Sequence, residues 1–259
     1  MNILMEKSGG IARVTLNRPE VRNAFDDALI ASLTNIFGDV EKDEDVRLMV
    51  LAGNGPAFCA GADLNWMKRM AGYGYDENLR DASGLAGMLA ALDRLTKPTI
   101  ARVHGPAFAG GTGLVAACDV AVGTPAAKFC FSEAKLGLSP ATISPYVIRA
   151  IGERAARRYF LSAEVFGAEE AYRVGLLSAL VPERELDSFI AQIATHLLAG
   201  GPQAHAKIKD LIGAVAGRPI DAALKDDTAR RIAEIRASPE GTEGIASFLE
   251  KRKPGWTRS

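Results

Sequence analysis

Twice along this chain a short apolar run gives way to a glycine-bearing turn and then to a helix that starts on small residues, at 46–66 and again at 99–118. The first unit reads VRLMVL followed by GNGPAFCAGADL; the second reads TIARV followed by HGPAFAGGTGLVAACD. A continuous apolar run of this length is what a parallel strand covered on both faces needs. A helix entered through such a turn leaves its first backbone N–H groups without intrahelical partners, at the positive end of its dipole. Two such helix starts brought together can hold one negative oxygen between backbone donors. Each is also an ordinary strand-to-helix connector, and the sequence alone leaves open whether the two meet.

The rest of the chain is organised around these units. The first fifteen or so residues predict two short strands across a Ser8-Gly9-Gly10 turn. From Asp26 to Glu41, Leu29, Ile30, Leu33, Ile36, Phe37 and Val40 recur at helical spacing, with Asp26 placed as N-cap. Val46–Leu51 predicts a buried strand, and helices are expected from near Ala62 or Asp63 and from about Glu77 to Leu95. Lys97-Pro98 stops the second of these, Thr99–Val103 and Val120–Val122 read as strands, and Phe129–Phe131 as a short extended piece leading into Ser132-Glu133. After Ile143 the pattern is helical, broken at Val181-Pro182 and Gly200-Gly201-Pro202. The order predicts an α/β fold with a helical C-terminal part.

Composition excludes several function classes. With 31 basic and 31 acidic side chains the net charge is zero, so the chain lacks the basic surplus that phosphate neutralisation requires. Basic clusters at Arg154/Arg157/Arg158 and Arg230/Arg231 recur at helical spacing among acids, without stacking aromatics, and read as solvated faces. Nucleic acid is therefore not the expected partner, and a non-catalytic RNA-associated role stands only as the alternative from another class. Cys59, Cys118 and Cys130 form no CxxC and sit among apolar or small residues, as buried filler does. His104, His196 and His205 have no metal-ligand spacing, and no metal is expected. The N-terminus enters strand-like sequence at once, and the weakly polar stretch Pro106–Ala127 contains Asp119, so neither a leader nor a membrane span is read. The expected location is the cytoplasm.

AFCAGADL at 57–64 and GPAFAGGTGLVAACDVAV at 105–122 resemble the two signature segments of the crotonase, or enoyl-CoA hydratase/isomerase, superfamily. NRPEVRNAFD at 17–26, FCFSEAKLGL at 129–138 and SFLEKRKPGW at 247–256 fall in family order, so the resemblance covers essentially the whole chain. It implies a crotonase-like spiral of ββα units over 1–195 and a helical region over 196–259 used for trimer assembly, alone or as a dimer of trimers. It also implies an acyl-coenzyme A substrate, with coenzyme A part of that substrate and no separate cofactor. The thioester oxygen would lie between the N–H groups of Ala62 and Gly110, and glycine at 110 would permit both close approach and an unusual turn. Glu133 would be the acid/base; by itself it reads as a helix-start glutamate paired with the dipole.

The resemblance also assigns contacts. Arg22 and Ala24 would grip the nucleotide and pantetheine end, Asp63, Leu64 and Asn65 would line the adenine pocket, and Phe248 and Lys251 would reach the coenzyme of a neighbouring subunit. Trp66, with Met67, belongs either to the acyl pocket or to the core. Asp119 reads as structural, bonding the turn into its strand.

Two departures narrow the reaction. Gly113 stands where hydratases commonly carry a second glutamate, which keeps an isomerase working through Glu133 alone, or another crotonase-type thioester enzyme such as a hydrolase or decarboxylase, as the alternative. GLSPATISPYVIRAIGERAARRYFL resembles the branch acting on 3-methylglutaconyl-CoA and isohexenylglutaconyl-CoA in leucine and acyclic terpene degradation. Such substrates end in a carboxylate, for which Ser144, Tyr146 and Arg149 are the local candidates, helix packing being their plainer role. The expected function is therefore an enoyl-CoA hydratase acting on a carboxylated, branched 2-enoyl-CoA.

Overall fold

The computed structural model describes residues 2–257. Strand β1 (Ile3–Ser8) turns through Gly9 and Gly10, both at positive φ, into β2 (Ile11–Leu16), and the two pair antiparallel. Helix α1 (Asp27–Lys42) follows, and the Asp26 side chain accepts the N–H of Leu29 at 2.7 Å as its cap. The stripe Leu29, Ile30, Leu33, Phe37 and Val40 is buried, with Ile36 at its half-buried edge. Strand β3 (Leu48–Gly53) runs parallel to β2. It sits slightly C-terminal to the apolar run read from the sequence, because the Val46 N–H still closes a turn onto the Asp43 carbonyl at 3.1 Å.

Helices α2 (Leu64–Met70) and α3 (Tyr75–Asp93) lead to β4 (Thr99–Val103), parallel to β3. Strand β5 (Ala107–Phe108) leaves that sheet, and α4 (Gly110–Ala117) returns the chain to β6 (Val120–Gly123), parallel to β4. Strand β7 (Lys128–Cys130) pairs parallel with β5. Helix α5 (Ser144–Ser162) is interrupted at Gly152, and β8 (Phe166–Gly167) pairs antiparallel with β7. Helix α6 (Ala168–Arg173) and strand β9 (Ala179–Leu180), parallel to β6, precede α7 (Leu186–Ala199), α8 (Pro202–Val215), α9 (Ala222–Ala237) and α10 (Pro239–Leu249).

The result is a six-stranded sheet in the order β1-β2-β3-β4-β6-β9 and a second sheet, β5-β7-β8. Strands β5, β8 and β9 were not legible: two residues each give no alternation to detect. Both faces of the larger sheet are covered. Met49 and Leu51 belong to the main core with residues of α1, α3, α4 and α5. Leu48 and Val50 point the other way, to Ile100, Val122 and the α7 residues Leu186, Ile190 and Ala194. This two-sided burial is why β3 reads as an unbroken apolar run.

The expected boundary at 195/196 falls inside α7, and the first break beyond it is Gly200-Gly201. Helix α8 buries no residue fully and α9 only Leu224. Ile208, Ile212 and Ile232 are exposed along the groove between them. Among the described residues no helix is long and apolar enough to cross a membrane, and no group of His, Cys, Asp or Glu is placed to hold a metal ion. Cys59 and Cys130 are buried and Cys118 half-buried, and burial pushes the Cys59 and Cys118 thiols up to about 12.

Candidate active site

The two glycine turns meet. The Phe58 N–H donates to the Pro106 carbonyl at 3.0 Å, the Phe108 N–H donates to the Cys59 carbonyl at 2.9 Å, and Cys59 bridges to Ala107 in parallel register. Gly61, at φ +92°, lies against the other loop: a Cβ there would fall 3.1 Å from the Phe108 oxygen and 3.2 Å from the Ala109 Cβ. Only glycine satisfies both the conformation and the approach. The segments entering α2 and α4 are thereby brought side by side, with Ala62 just before the Asp63 cap of α2 and Gly110 the first residue of α4.

Neither the Ala62 N–H nor the Gly110 N–H donates to an acceptor among the described residues. Both are nevertheless held in direction. On either side of Ala62, the Gly61 carbonyl accepts the Phe25 N–H at 2.6 Å and the Asp63 N–H donates to the Phe25 carbonyl at 2.7 Å. Before Gly110, Ala109 takes φ +48° and ψ −118°, and its N–H donates to the Cys130 carbonyl at 2.8 Å. A non-glycine residue in that region costs of order 1–3 kcal/mol and is kept only where its surroundings enforce it. The unusual turn expected at Gly110 is therefore carried by Ala109. Gly110 is glycine for a different reason: a Cβ on it would lie 2.7 Å from Cε2 of Phe25 and 3.0 Å from its Cδ2.

Glu133 lies in a 3-10 turn, Ser132–Leu136, immediately after β7, the strand that pairs with β5 and holds Ala109. Its Oε2 is buried with no hydrogen-bond partner, and burial raises its pKa above the ordinary glutamate value. A dipole partner at a helix start would be held as the anion in water; this carboxyl is driven toward the neutral form, as acid/base groups are.

The other expected site residues fall into distinct surroundings. Asp63 caps α2, accepting from Asn65 N at 2.8 Å and Trp66 N at 3.4 Å. Burial works to raise its pKa, but these two N–H groups and the neighbouring Arg18 outweigh it and hold the carboxyl below its usual range. Leu64 is 73% exposed and Asn65 is exposed beside it. Trp66 is buried in the main core, its indole N–H donating to Asp81 at 3.2 Å. Arg22 is exposed in the left-handed region at φ +54°, and Ala24 is buried with its carbonyl accepting from Arg18 at 2.9 Å. Phe248 is 82% exposed on α10 and Lys251 is exposed just beyond it.

On α5 the Ser144 hydroxyl donates to the Ala141 carbonyl at 2.8 Å. The Arg149 guanidinium pairs with Asp93 at the end of α3 and sits 5.7 Å over the Tyr146 ring. Arg149 lines a cleft with Val115–Asp119, at the end of α4 opposite Gly110. Asp119 is structural: its Oδ2 accepts from the Thr99 N–H at 2.8 Å and the Thr99 hydroxyl at 2.9 Å and pairs with Lys209 at 2.7 Å. The basic clusters are met by acids, Arg158 by Glu164 and Arg231 by Asp227, each at 2.8–2.9 Å.

Sequence reasoning missed three residues that frame the site. Arg18 bonds Ala24, Asp26 and Asp63. Asn23, fully buried, donates to the carbonyls of Asn54, Ala57 and Phe58. Ile143 fills the space beside Gly113. Asn23 carried a faint signal, a polar residue set between charged and apolar neighbours in a turn; Arg18 and Ile143 carried none, since Asp63 and Gly113, the partners that tie them to the site, lie far along the chain.

The family model for enoyl-CoA hydratase/isomerase matches residues 6–259. The chain is 34% identical to enoyl-CoA hydratase EchA19 of Mycobacterium tuberculosis, over 98% of this chain and 95% of that one. It is 30% identical to the short-chain-enoyl-CoA hydratase of Clostridium acetobutylicum, over 97% and 96% of the two chains. The crystal structure of an enoyl-CoA hydratase from Shewanella pealeana superposes with a TM-score of 0.96 at 41% identity, covering 99% of this chain and 96% of that one. With that whole-length agreement in sequence and fold, the chain belongs to the enoyl-CoA hydratase/isomerase, or crotonase, family.

Proposed function

We propose that this protein is an enoyl-CoA hydratase, adding water across the 2,3 double bond of a 2-enoyl-CoA. One observation carries the reading: among the described residues the backbone N–H groups of Ala62 and Gly110 donate to no acceptor where the two glycine turns meet, and Glu133, with its Oε2 buried and unbonded, follows the strand that pairs with β5 just before Gly110. A thioester oxygen accepting from both donors would be stabilised as negative charge develops on it. Ionised Glu133 takes a proton from water as the hydroxyl bonds to C3, and returns that proton to C2. The sum is one water added and the carboxylate regenerated, so a single acid/base group suffices. Coenzyme A enters as part of the substrate and no other cofactor is used.

The finer reading, a 3-methylglutaconyl-CoA-type substrate, rests on the segment 137–161 and on Ser144, Tyr146 and Arg149 as its contacts. Arg149 already holds Asp93, so a substrate carboxylate would have to compete for it. An isomerase is the second reading, favoured by Ile143 occupying the position beside Gly113, where a second acid/base side chain would otherwise project, with Glu133 left to do the proton transfer. There Glu133 would remove a proton from one carbon of the acyl chain and deliver it to another. A homo-oligomer, trimer or dimer of trimers, assembled through the apolar groove between α8 and α9, completes the proposal.

Mass spectrometry of products from crotonyl-CoA and 3-methylglutaconyl-CoA, run in parallel, tests it. Faster water addition to the carboxylated substrate is expected. Preference for crotonyl-CoA would make this a general hydratase, and no adduct with either would favour the isomerase.

A further inference from the structure

Arg18 sits between the N-caps of two helices. Its Nη1 lies 2.8 Å from Oδ2 of Asp26, the cap of α1, and its Nη2 lies 3.1 Å from Oδ2 of Asp63, the cap of α2. Each carboxylate divides its oxygens in the same way. The Oδ1 of Asp26 accepts from Leu29 N, the Oδ1 of Asp63 accepts from Asn65 N and Trp66 N, and both Oδ2 atoms face the one guanidinium. Nη1 also donates to the Ala24 carbonyl at 2.9 Å. The Arg18 side chain is only 14% exposed, so this clamp is largely withdrawn from solvent.

The clamp bears directly on one proposed donor. Asp63 follows Ala62, and Phe25, whose backbone pins the peptides on both sides of Ala62, lies between Ala24 and Asp26, both held by Arg18. The same Phe25 ring packs where a Gly110 side chain would be. Arg18 thus ties the first donor to the residue that sets the distance to the second. A planar fork with separate N–H groups can bridge two carboxylates and a carbonyl in fixed directions; a lysine, a single charged point, cannot.

We infer that Arg18 is a positioning residue for the oxyanion hole: it fixes the direction of the Ala62 N–H by bridging the caps of α1 and α2. This rests on the reading of Ala62 and Gly110 as thioester donors. A displacement of about 1 Å at a catalytic group can cost about a hundredfold in rate. Removing the fork is therefore expected to lower kcat about 10- to 100-fold while KM changes little.

The test is the infrared carbonyl stretch of butanoyl-CoA carrying 13C at the thioester carbon, a saturated ligand that undergoes no reaction, bound to the full-length protein. The wild-type band is expected below that of the free thioester. In Arg18→Gln it should move at least halfway back, with Arg18→Lys in between. Asp63→Asn keeps the cap of α2 but removes the charge facing Arg18, and gives the same reading if Arg18→Gln does not fold. Arg47→Gln is the stability control, since Arg47 holds the Gly200 and Trp256 carbonyls at 2.7 and 3.0 Å away from these helix starts. A band unmoved in the Arg18 and Asp63 variants, or moved as far in Arg47→Gln, overturns the inference. A wild-type band at the free-thioester position would instead overturn the oxyanion reading beneath it.

Discussion

Ile143 occupies the space into which a side chain on Gly113 would project: a Cβ there would overlap Cγ2 of Ile143 and lie 3.0 Å from its Cβ. Ile143 is 1% exposed and β-branched, so the overlapping methyl has little freedom to move aside. Gly113→Ala should therefore destabilise the fold by about 1–3 kcal/mol through overpacking, although alanine favours a helix interior by about 1 kcal/mol. Ile143→Ala alone should cost about 2–5 kcal/mol as a cavity. The double variant should be more stable than the sum of the two, because each change relieves the other. Urea unfolding of the four proteins checks this; strict additivity would mean the two residues are not in contact.

Glu133→Gln should lower turnover of a 2-enoyl-CoA about 10²- to 10⁴-fold while coenzyme A binding is retained, since the amide keeps the shape but moves no proton. A near-normal rate would remove Glu133 from the chemistry.

The same carboxyl makes stability depend on pH. Burial raises its folded pKa above 4.5, so the folded state binds the extra proton more readily than the unfolded chain. The contribution is fully present below the unfolded value and is lost as pH rises through the raised folded value. Glu133→Gln carries no such charge, so it should gain in Tm over the wild type between acid and neutral pH. Melting both proteins at pH 4.5 and pH 8 reads it: the difference should grow with pH, and an equal difference at both would refute the desolvated state of this carboxyl.

Much of this site was legible because its elements are local. The Asp26 cap, the helix stripe ending at Val40 and the start of α2 at Asp63 each depend on residues within one or two turns. The pairing of the two glycine turns was not legible from residue spacing, because it depends on hydrogen bonds between Phe58-Cys59 and Pro106-Phe108, far apart along the chain. Only the family resemblance joined them. The second oxygen of each cap was invisible for the same reason: a capping aspartate announces the N–H it accepts, and nothing in the sequence says that Asp26 and Asp63 share Arg18. Gly110 was read as glycine for approach to a thioester and for an unusual turn; the constraint the structure shows is the Phe25 ring, which lies on another segment.

Gly110→Ala should force either Phe25 or the start of α4 to move, since the added Cβ would lie 2.7 Å from the ring. A displaced donor should cost kcat up to the 10²- to 10³-fold seen for loss of one oxyanion contact, about 2.7–4 kcal/mol. Phe25→Leu in the same chain removes the offending ring edge and should recover part of the rate. Steady-state kinetics on the two variants decide it; no recovery would mean that the methyl blocks the ligand directly and that Phe25 is not the constraint.

Assembly should depend on the groove of about 820 Å³ between α8 and α9, lined by Ile208, Ile212 and Ile232. These side chains are 49%, 61% and 46% exposed in the single chain. Burying an isoleucine fully is worth about 1.5–3 kcal/mol, so three on each copy give a strong drive to cover the face. Ile208→Asp with Ile232→Asp places unpaired charge there and should reduce the sedimenting mass to that of one 27.5 kDa chain, with far-UV circular dichroism unchanged. If Phe248 and Lys251 reach the coenzyme of a neighbouring copy, the same variant should also raise KM for the acyl-CoA. Lys251→Ala in the intact assembly should then raise KM with kcat nearly constant, as expected when a phosphate contact shared by ground and transition states is lost. An assembly that survives both aspartates would place the interface elsewhere, and an unchanged KM in a dissociated protein would confine the coenzyme site to one chain.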